Sequence, residues 1–198
     1  MTNTVLDNAL TDTGMSLRPL PDEVVDLLRR LDAPPRLAAH LRAVHDVADQ
    51  LTDLVTGRFP ELAVDRPAVL YGAATHDIGK VIHIDELSGP GTAHEPAGEA
   101  LLLAEGVPAR LARFAGSHGS WTRTGITVED LLVSLADKIW KAKRVTDLET
   151  LVLDRIADTV GVQRWQAFLD LDDILDRLAA DADGRLAYQG SYPIRTPR

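Results

Sequence analysis

Leu37, Leu41, Val44, Ala48, Leu51 and Val55 recur at steps of three and four residues through RLAAHLRAVHDVADQLTDLV. That spacing lines one face of a 3.6-residue helix and predicts a long helix with an apolar stripe committed to a core. No segment alternates apolar and polar residues in the manner of a half-buried strand. The chain therefore reads as all-α, a single compact bundle of about seven or eight helices.

Punctuation along the chain divides these helices. PDEVVDLLRRL, from Pro21 to about Leu31, opens with Pro and acids suited to a first helical turn, and Pro34 and Pro35 break it. DRPAVLYGAATHDIGK, Asp65 to Lys80, reads as a small-residue apolar helix closing near Gly79, followed by a loop from Ser88 to Pro96. AGEALLLAEG gives a short helix ending at Gly106, and another starts at Pro108. Thr127 with Asp130 resembles a capping box for VEDLLVSLADKIWKAK, and Thr146 with Glu149 repeats the signal for LETLVLDRIADTV. A last helix is expected from about Val162 to Ala182. Residues 1–18 are polar without a sustained period and are expected to be a flexible segment. Residues 184–198 are turn-rich and are expected to form a tail. Residues 19–183 then form one helical domain.

Composition narrows the chemistry. The 198 residues suit one domain, with 45% apolar and 26% charged residues, which argues against wholesale disorder. A net charge of −9 disfavours bulk nucleic-acid binding but leaves room for a local basic site that takes a small anion. The chain has no cysteine, which removes disulfides, thiolate zinc sites and thiol nucleophiles. Any transition metal must then be held by imidazole and carboxylate. No apolar run approaches the roughly 18 residues of a membrane span, and the N-terminal segment lacks the early basic residues of a signal peptide. A cytoplasmic location is the expectation.

The six histidines, His40, His45, His76, His83, His94 and His118, all fall between residues 40 and 118. His76 and Asp77 follow the uncharged run AVLYGAAT, so the pair is expected deep in the bundle. Asp137 sits among Leu131, Leu132, Val133, Leu135, Ala136, Ile139 and Trp140, which leaves no wide polar stripe for a carboxylate. Buried carboxylates cost several kcal/mol unless paired or coordinated. Two of them in a histidine-rich chain point to a metal site, although Lys80, Lys138 and Lys141 keep ordinary ion pairing open.

The order His40, His76-Asp77, His94, His118, Asp137 resembles the HD-domain superfamily of metal-dependent phosphohydrolases. The local contexts HLRAVHDVADQL, THDIGK, HEPAGEALL, SHGSW and SLADKIWKAKR are similar to its ligand-bearing segments, over about residues 35–145. His45, followed by Asp46, competes with His40 for the first position. The offsets from His40 reach Val44, Ala48 and Leu51, whereas those from His45 reach Asp49 and Asp53, so the apolar register favours His40 and leaves His45 as a neighbour of the ligands. His83 lies outside the motif.

The resemblance implies an HD-type helical fold and a metal set of His40, His76, Asp77, His94, His118 and Asp137. It implies one or two divalent transition-metal ions, of Fe, Mn, Co, Zn or Ni, with Asp77 bridging two of them. The reaction implied is phosphoester hydrolysis of a small phosphorylated metabolite or nucleotide by a metal-activated hydroxide. Asp77, Lys80 and Lys138 are the expected catalytic residues. Lys141, Arg144 and Trp121 are candidate substrate contacts, with Lys143 in the same basic cluster and Arg123 near the entrance. Asp137, Lys141 and Arg144 are expected to share one helical face. Two other activities carry the same ligand set: a di-iron oxygenase of the HD type, and a non-catalytic nucleotide-binding module. The residues leave the oligomeric state unread.

Overall fold

The computed structural model describes residues 4–195. Among them, the chain forms α1 (Thr4–Thr11), α2 (Asp22–Arg30), α3 (Pro35–Arg58), α4 (Arg66–Thr75) and α5 (His94–Ala104). It continues through α6 (Ala109–Ser117), α7 (Val128–Ile139), α8 (Thr146–Val160), α9 (Arg164–Ala179) and α10 (Ala182–Gly190). Two short 3-10 turns, Ile78–Val81 and Ile84–Leu87, lie between α4 and α5. The all-α expectation is met, with more helices than the seven or eight read from sequence.

The central element is α3. Pro35 occupies its first turn, where the missing N–H had no helical partner to lose, so the Pro34-Pro35 pair starts this helix as well as ending α2. Every residue from Leu37 to Ala48 is buried. The apolar stripe predicts one covered face, but α4 and α7 cover one side while α1, α9 and α10 pack on the rest.

Those extra layers come from the two ends of the chain. The segment expected to be loose contains α1, whose Leu6, Ala9 and Leu10 are buried in the common core. The expected tail contains most of α10, which carries buried Arg185 and Tyr188. Tyr188 donates its hydroxyl to Ala9 O at 2.7 Å, tying the two ends together. Both expectations are therefore corrected for the described residues, while residues 1–3 and 196–198 lie outside them. Short amphipathic helices of this kind have too few turns to show a period, and packing stabilises them instead.

The predicted helix from Asp65 to Lys80 is divided. Asp65 caps α4 by accepting the Ala68 N–H at 3.1 Å. The α-helix stops at Thr75, and Asp77 leaves helical geometry with φ −102° and ψ 11° before the first 3-10 turn. Adjacent residues on a regular helix diverge by about 100°. The break instead brings His76 and Asp77 to one place. Gly79 follows at a tight crossing, where an added Cβ would collide with the backbone oxygen of His94. Glycine at this position lets the first turn of α5 lie directly on the His-Asp turn. The helix starts at His94 rather than after Pro96, so the predicted loop is shorter and part of the approach to it is the second 3-10 turn.

On α7 the capping box forms as read: Thr127 accepts from the Asp130 N–H, and the Asp130 carboxylate accepts the Thr127 N–H at 3.1 Å. The helix ends at Ile139, short of Lys143, and Ala142 adopts φ 55°. Asp137, Lys141 and Arg144 consequently do not share a helical face. The second box is not made. Val145 is the N-cap of α8, and its N–H is bound by Glu149 at 2.8 Å, so only the acidic half of the motif is used.

Candidate metal centre

Six donors from five places in the chain meet in the bundle: His40 from α3, His76 and Asp77 from the end of α4, His94 from α5, His118 after α6 and Asp137 from α7. All are buried. They fall into two trios of mutually close donor atoms, His40, His76 and Asp137 in one, and Asp77, His94 and His118 in the other. His40 Nε2 and His76 Nε2 are 3.2 Å apart, and His94 Nε2 and His118 Nε2 are 3.4 Å apart. Asp77 joins the trios: Oδ1 lies 3.0 Å from His94 Nε2 and 3.4 Å from His118 Nε2, while Oδ2 lies 3.1 Å from His40 Nε2. Asp137 Oδ1 is 3.4 Å from His76 Nε2.

Three of the four rings are aimed from behind. His76 Nδ1 is 2.9 Å from Ala73 O, and His118 Nδ1 is 3.0 Å from Ala115 O, each within its own helical turn. His94 Nδ1 is 2.5 Å from Glu86 Oε2. Such contacts fix the tautomer in which Nε2 offers a lone pair. His40 Nδ1 has no such partner among the described residues; its ring is set edge-on to Trp140, with centroids 4.9 Å apart.

The electrostatics suit cations. Burial opposes ionisation of Asp77, yet the imidazoles of His76, His118, His40 and His94 hold its carboxyl well below the usual carboxylate range. Asp137 is likewise held low against its burial by His76 and Lys138. Burial pushes His40 down, toward the neutral ring a metal needs, although Asp77 opposes this. Imidazole nitrogens converging beside two carboxylates held ionised, with nitrogen and oxygen donors only, fit divalent transition-metal ions. The contrast with Asp130 on the same helix is instructive. Asp130 is also buried but is satisfied by Arg113 at 3.0 Å and Ser117 at 2.9 Å, with no histidine among its bonding partners in the described residues.

The centre lies at the base of a cleft of about 590 Å³. Lys80 and Lys138 sit at its edge, Lys80 Nζ 2.5 Å from Asp77 Oδ2 and Lys138 Nζ 2.6 Å from Asp137 Oδ2. The ion pairs foreseen as the alternative to metal therefore exist, but the same two carboxylates are also met by imidazoles: Asp77 Oδ2 is shared by Lys80 and His40, and Asp137 Oδ1 faces His76 while Oδ2 takes Lys138. Lys141, Lys143 and Trp121 also line the cleft, with Lys138 Nζ 5.6 Å from the Trp121 ring centroid.

Arg144 does not line it. The early end of α7 turns this side chain toward α8 and α9, where it bonds Glu149 at 2.9 Å, Asp172 at 2.6 Å and Asp176 at 2.8 Å. Its place as a substrate contact is corrected to a link between helices. Arg123 donates to Gly116 O at 3.1 Å and is also outside the lining. His83 lies outside the donor set, at the start of the second 3-10 turn. His45 is on another face of α3 and borders a separate cavity, so it is not a neighbour of the ligands.

Sequence reasoning missed three contributors. Glu86 lies in no motif, and only the fold of the second 3-10 turn carries it to His94. Leu186 and Gln189 of α10 complete the cleft wall from the part of the chain that carries no readable pattern.

The chain matches the family model described as HD domain over residues 37–140, more than half its length, and it belongs to the HD-domain family. That family consists typically of metal-dependent hydrolases, and the two buried His/Asp trios are consistent with it. No curated protein and no solved structure was found to match the chain. Among the described residues, no helix is long and apolar enough to cross a membrane.

Proposed function

We propose that this protein is a two-metal phosphohydrolase acting on a small phosphorylated metabolite or nucleotide. The observation that carries the reading is the position of Asp77, whose two oxygens face different histidine pairs below a lysine-lined cleft. His40, His76 and Asp137 would hold one ion and His94 with His118 the other, with Asp77 shared. Bound divalent cations lower the pKa of water toward neutrality and stabilise charge on a phosphoryl oxygen.

The remaining work falls to side chains of the cleft. Lys80 and Lys138 place two ammonium groups beside the carboxylates, where they counter the charge of an incoming phosphate. Lys141 and Lys143 extend this potential to the mouth. Desolvation, with Lys138, Lys143 and Lys80 nearby, holds the Lys141 ammonium below its ordinary pKa, and Asp137 opposes that shift. Trp121 offers a flat apolar face next to Lys138, suited to the organic part of the substrate. Leu87 and Leu186 add apolar surface, in keeping with a substrate that is more than phosphate alone.

The test is a panel of phosphomonoesters, phosphodiesters and nucleotides assayed with protein loaded separately with Mn, Co, Zn, Ni and anaerobic Fe(II). Turnover of at least one class is expected, with D77A inactive and still helical by circular dichroism. Inactivity of every loaded form on the whole panel contradicts the reading.

A further inference from the structure

His45 is buried, with 2% of its surface exposed, and its Nδ1 has no hydrogen-bond partner among the described residues. Burial of an imidazole without a partner is unfavourable and calls for an explanation. The ring stands five residues from His40, about 140° around α3, and borders a second cavity of about 430 Å³. That volume falls in the ~300–1,000 Å³ range of small-molecule sites. None of its lining residues belongs to the metal cleft.

The lining is amphipathic. Leu20, Pro67, Leu70 and Leu111 supply apolar surface. Arg18, Arg66 and Arg110 supply three guanidinium groups against the single carboxylate of Glu23. Two of these cations are committed: Arg18 pairs with Asp49 at 2.8 Å, and Arg66 with Asp53 at 3.0 Å as well as with Asp49. Arg110 has no ion-pair partner among the described residues, and neither does the half-buried Tyr71 hydroxyl have a hydrogen-bond partner. The unpaired, exposed guanidinium of Arg110 and the free Tyr71 phenol, beside apolar walls and the buried His45 ring, match an anion carried on a small apolar body.

We propose that this cavity binds a small organic carboxylate with an aromatic or branched apolar body, held by Arg110 and Tyr71 against a wall that includes the His45 ring. A metal ion is disfavoured by the surplus of cations, and a polyphosphate by the apolar walls and Glu23.

Benzoate is the probe, with neutral benzamide as its control, followed by ¹H–¹⁵N spectra of the histidine rings and by calorimetry on the full chain. At about 10 mM, ten times the ~1 mM dissociation constant reasonable for so small a ligand, benzoate is expected to move the His45 ring signals. R110A is expected to weaken binding at least tenfold and Y71F severalfold, with metal content unchanged. H45Q is expected to weaken it as well, and if that buried variant does not fold, R110A decides. Unmoved His45 signals overturn the proposal. So does benzoate binding that survives R110A, or benzamide binding as tightly as benzoate.

Discussion

Glu86 Oε2 lies 2.5 Å from His94 Nδ1 and accepts the His94 backbone N–H at 3.1 Å. One carboxylate thus fixes both the ring and the first turn of the helix that carries it. Burial lowers the pKa of His94, but Asp77 and Glu86 outweigh it and leave a net rise. E86A is expected to weaken metal binding at the Asp77, His94 and His118 trio and to cut turnover about 10–100-fold. E86Q, which keeps an acceptor oxygen, recovers part of the loss. Metal content by plasma mass spectrometry checks this, and full occupancy of E86A at limiting metal contradicts it.

The shared position of Asp77 separates two kinds of ligand loss. H118A removes a donor from one trio only, so metal is expected to persist at His40, His76 and Asp137. D77A disturbs both trios, and its metal content is expected to fall below that of H118A. Equal metal content in the two variants contradicts a bridging role.

Gly79 supports the centre through backbone contact. G79A forces the His-Asp turn and the start of α5 apart, because the new methyl meets the His94 carbonyl. A loss of about 1–3 kcal/mol in urea denaturation is expected, as for other overpacked sites, together with weaker metal binding. Wild-type stability in G79A contradicts the tight crossing.

His45 gives the folded chain a distinct acid sensitivity. Burial pushes its pKa down to about 4 from 6.5, with Arg18 and Arg66 adding to the effect. Between those values the unfolded chain binds a proton that the folded chain refuses. The stability His45 supports is therefore whole above pH 6.5 and is lost progressively as pH falls toward 4, by about 3 kcal/mol in all. H45Q lacks this component. The stability difference between wild type and H45Q, measured at pH 7 and at about pH 4.5, isolates it from the metal-site histidines, and a pH-independent difference contradicts it.

Arg144 and Lys141 are expected to part company in kinetics. K141A removes a cation from the cleft and is expected to raise KM about tenfold, as for loss of one charged contact. R144A leaves the cleft intact and costs about 1 kcal/mol or less in stability, because its guanidinium is partly exposed to solvent. A KM effect in R144A as large as that in K141A contradicts the placement of Arg144 between α8 and α9.

The helical class and the burial of His76, Asp77 and Asp137 were legible from local signals, whereas the full donor set, His94 and His118 above all, came from the resemblance to the HD superfamily. The stripe on α3 sets its inward face, and Asp137 has no polar stripe to occupy. The register also separated His40 from His45. Features set by chain direction were not legible. A continuous period through Asp65–Lys80 hides the break at Asp77, and a helical reading through Lys143 hides the turn at Ala142 that sends Arg144 elsewhere. Glu86 was invisible because its pairing with His94 depends on a turn, not on a period. Short α1 and α10 were missed because each contributes only two or three buried side chains.

Arg185 of α10 is buried and donates to Trp140 O at 2.7 Å, and Trp140 in turn is set against the His40 ring. The last helix is thereby fastened to the residue that backs the first ligand. During synthesis all six donors emerge well before Leu186 and Gln189. A nascent chain thus owns all six donors while the basin above them still lacks a bank, and the wall that encloses the cleft arrives last.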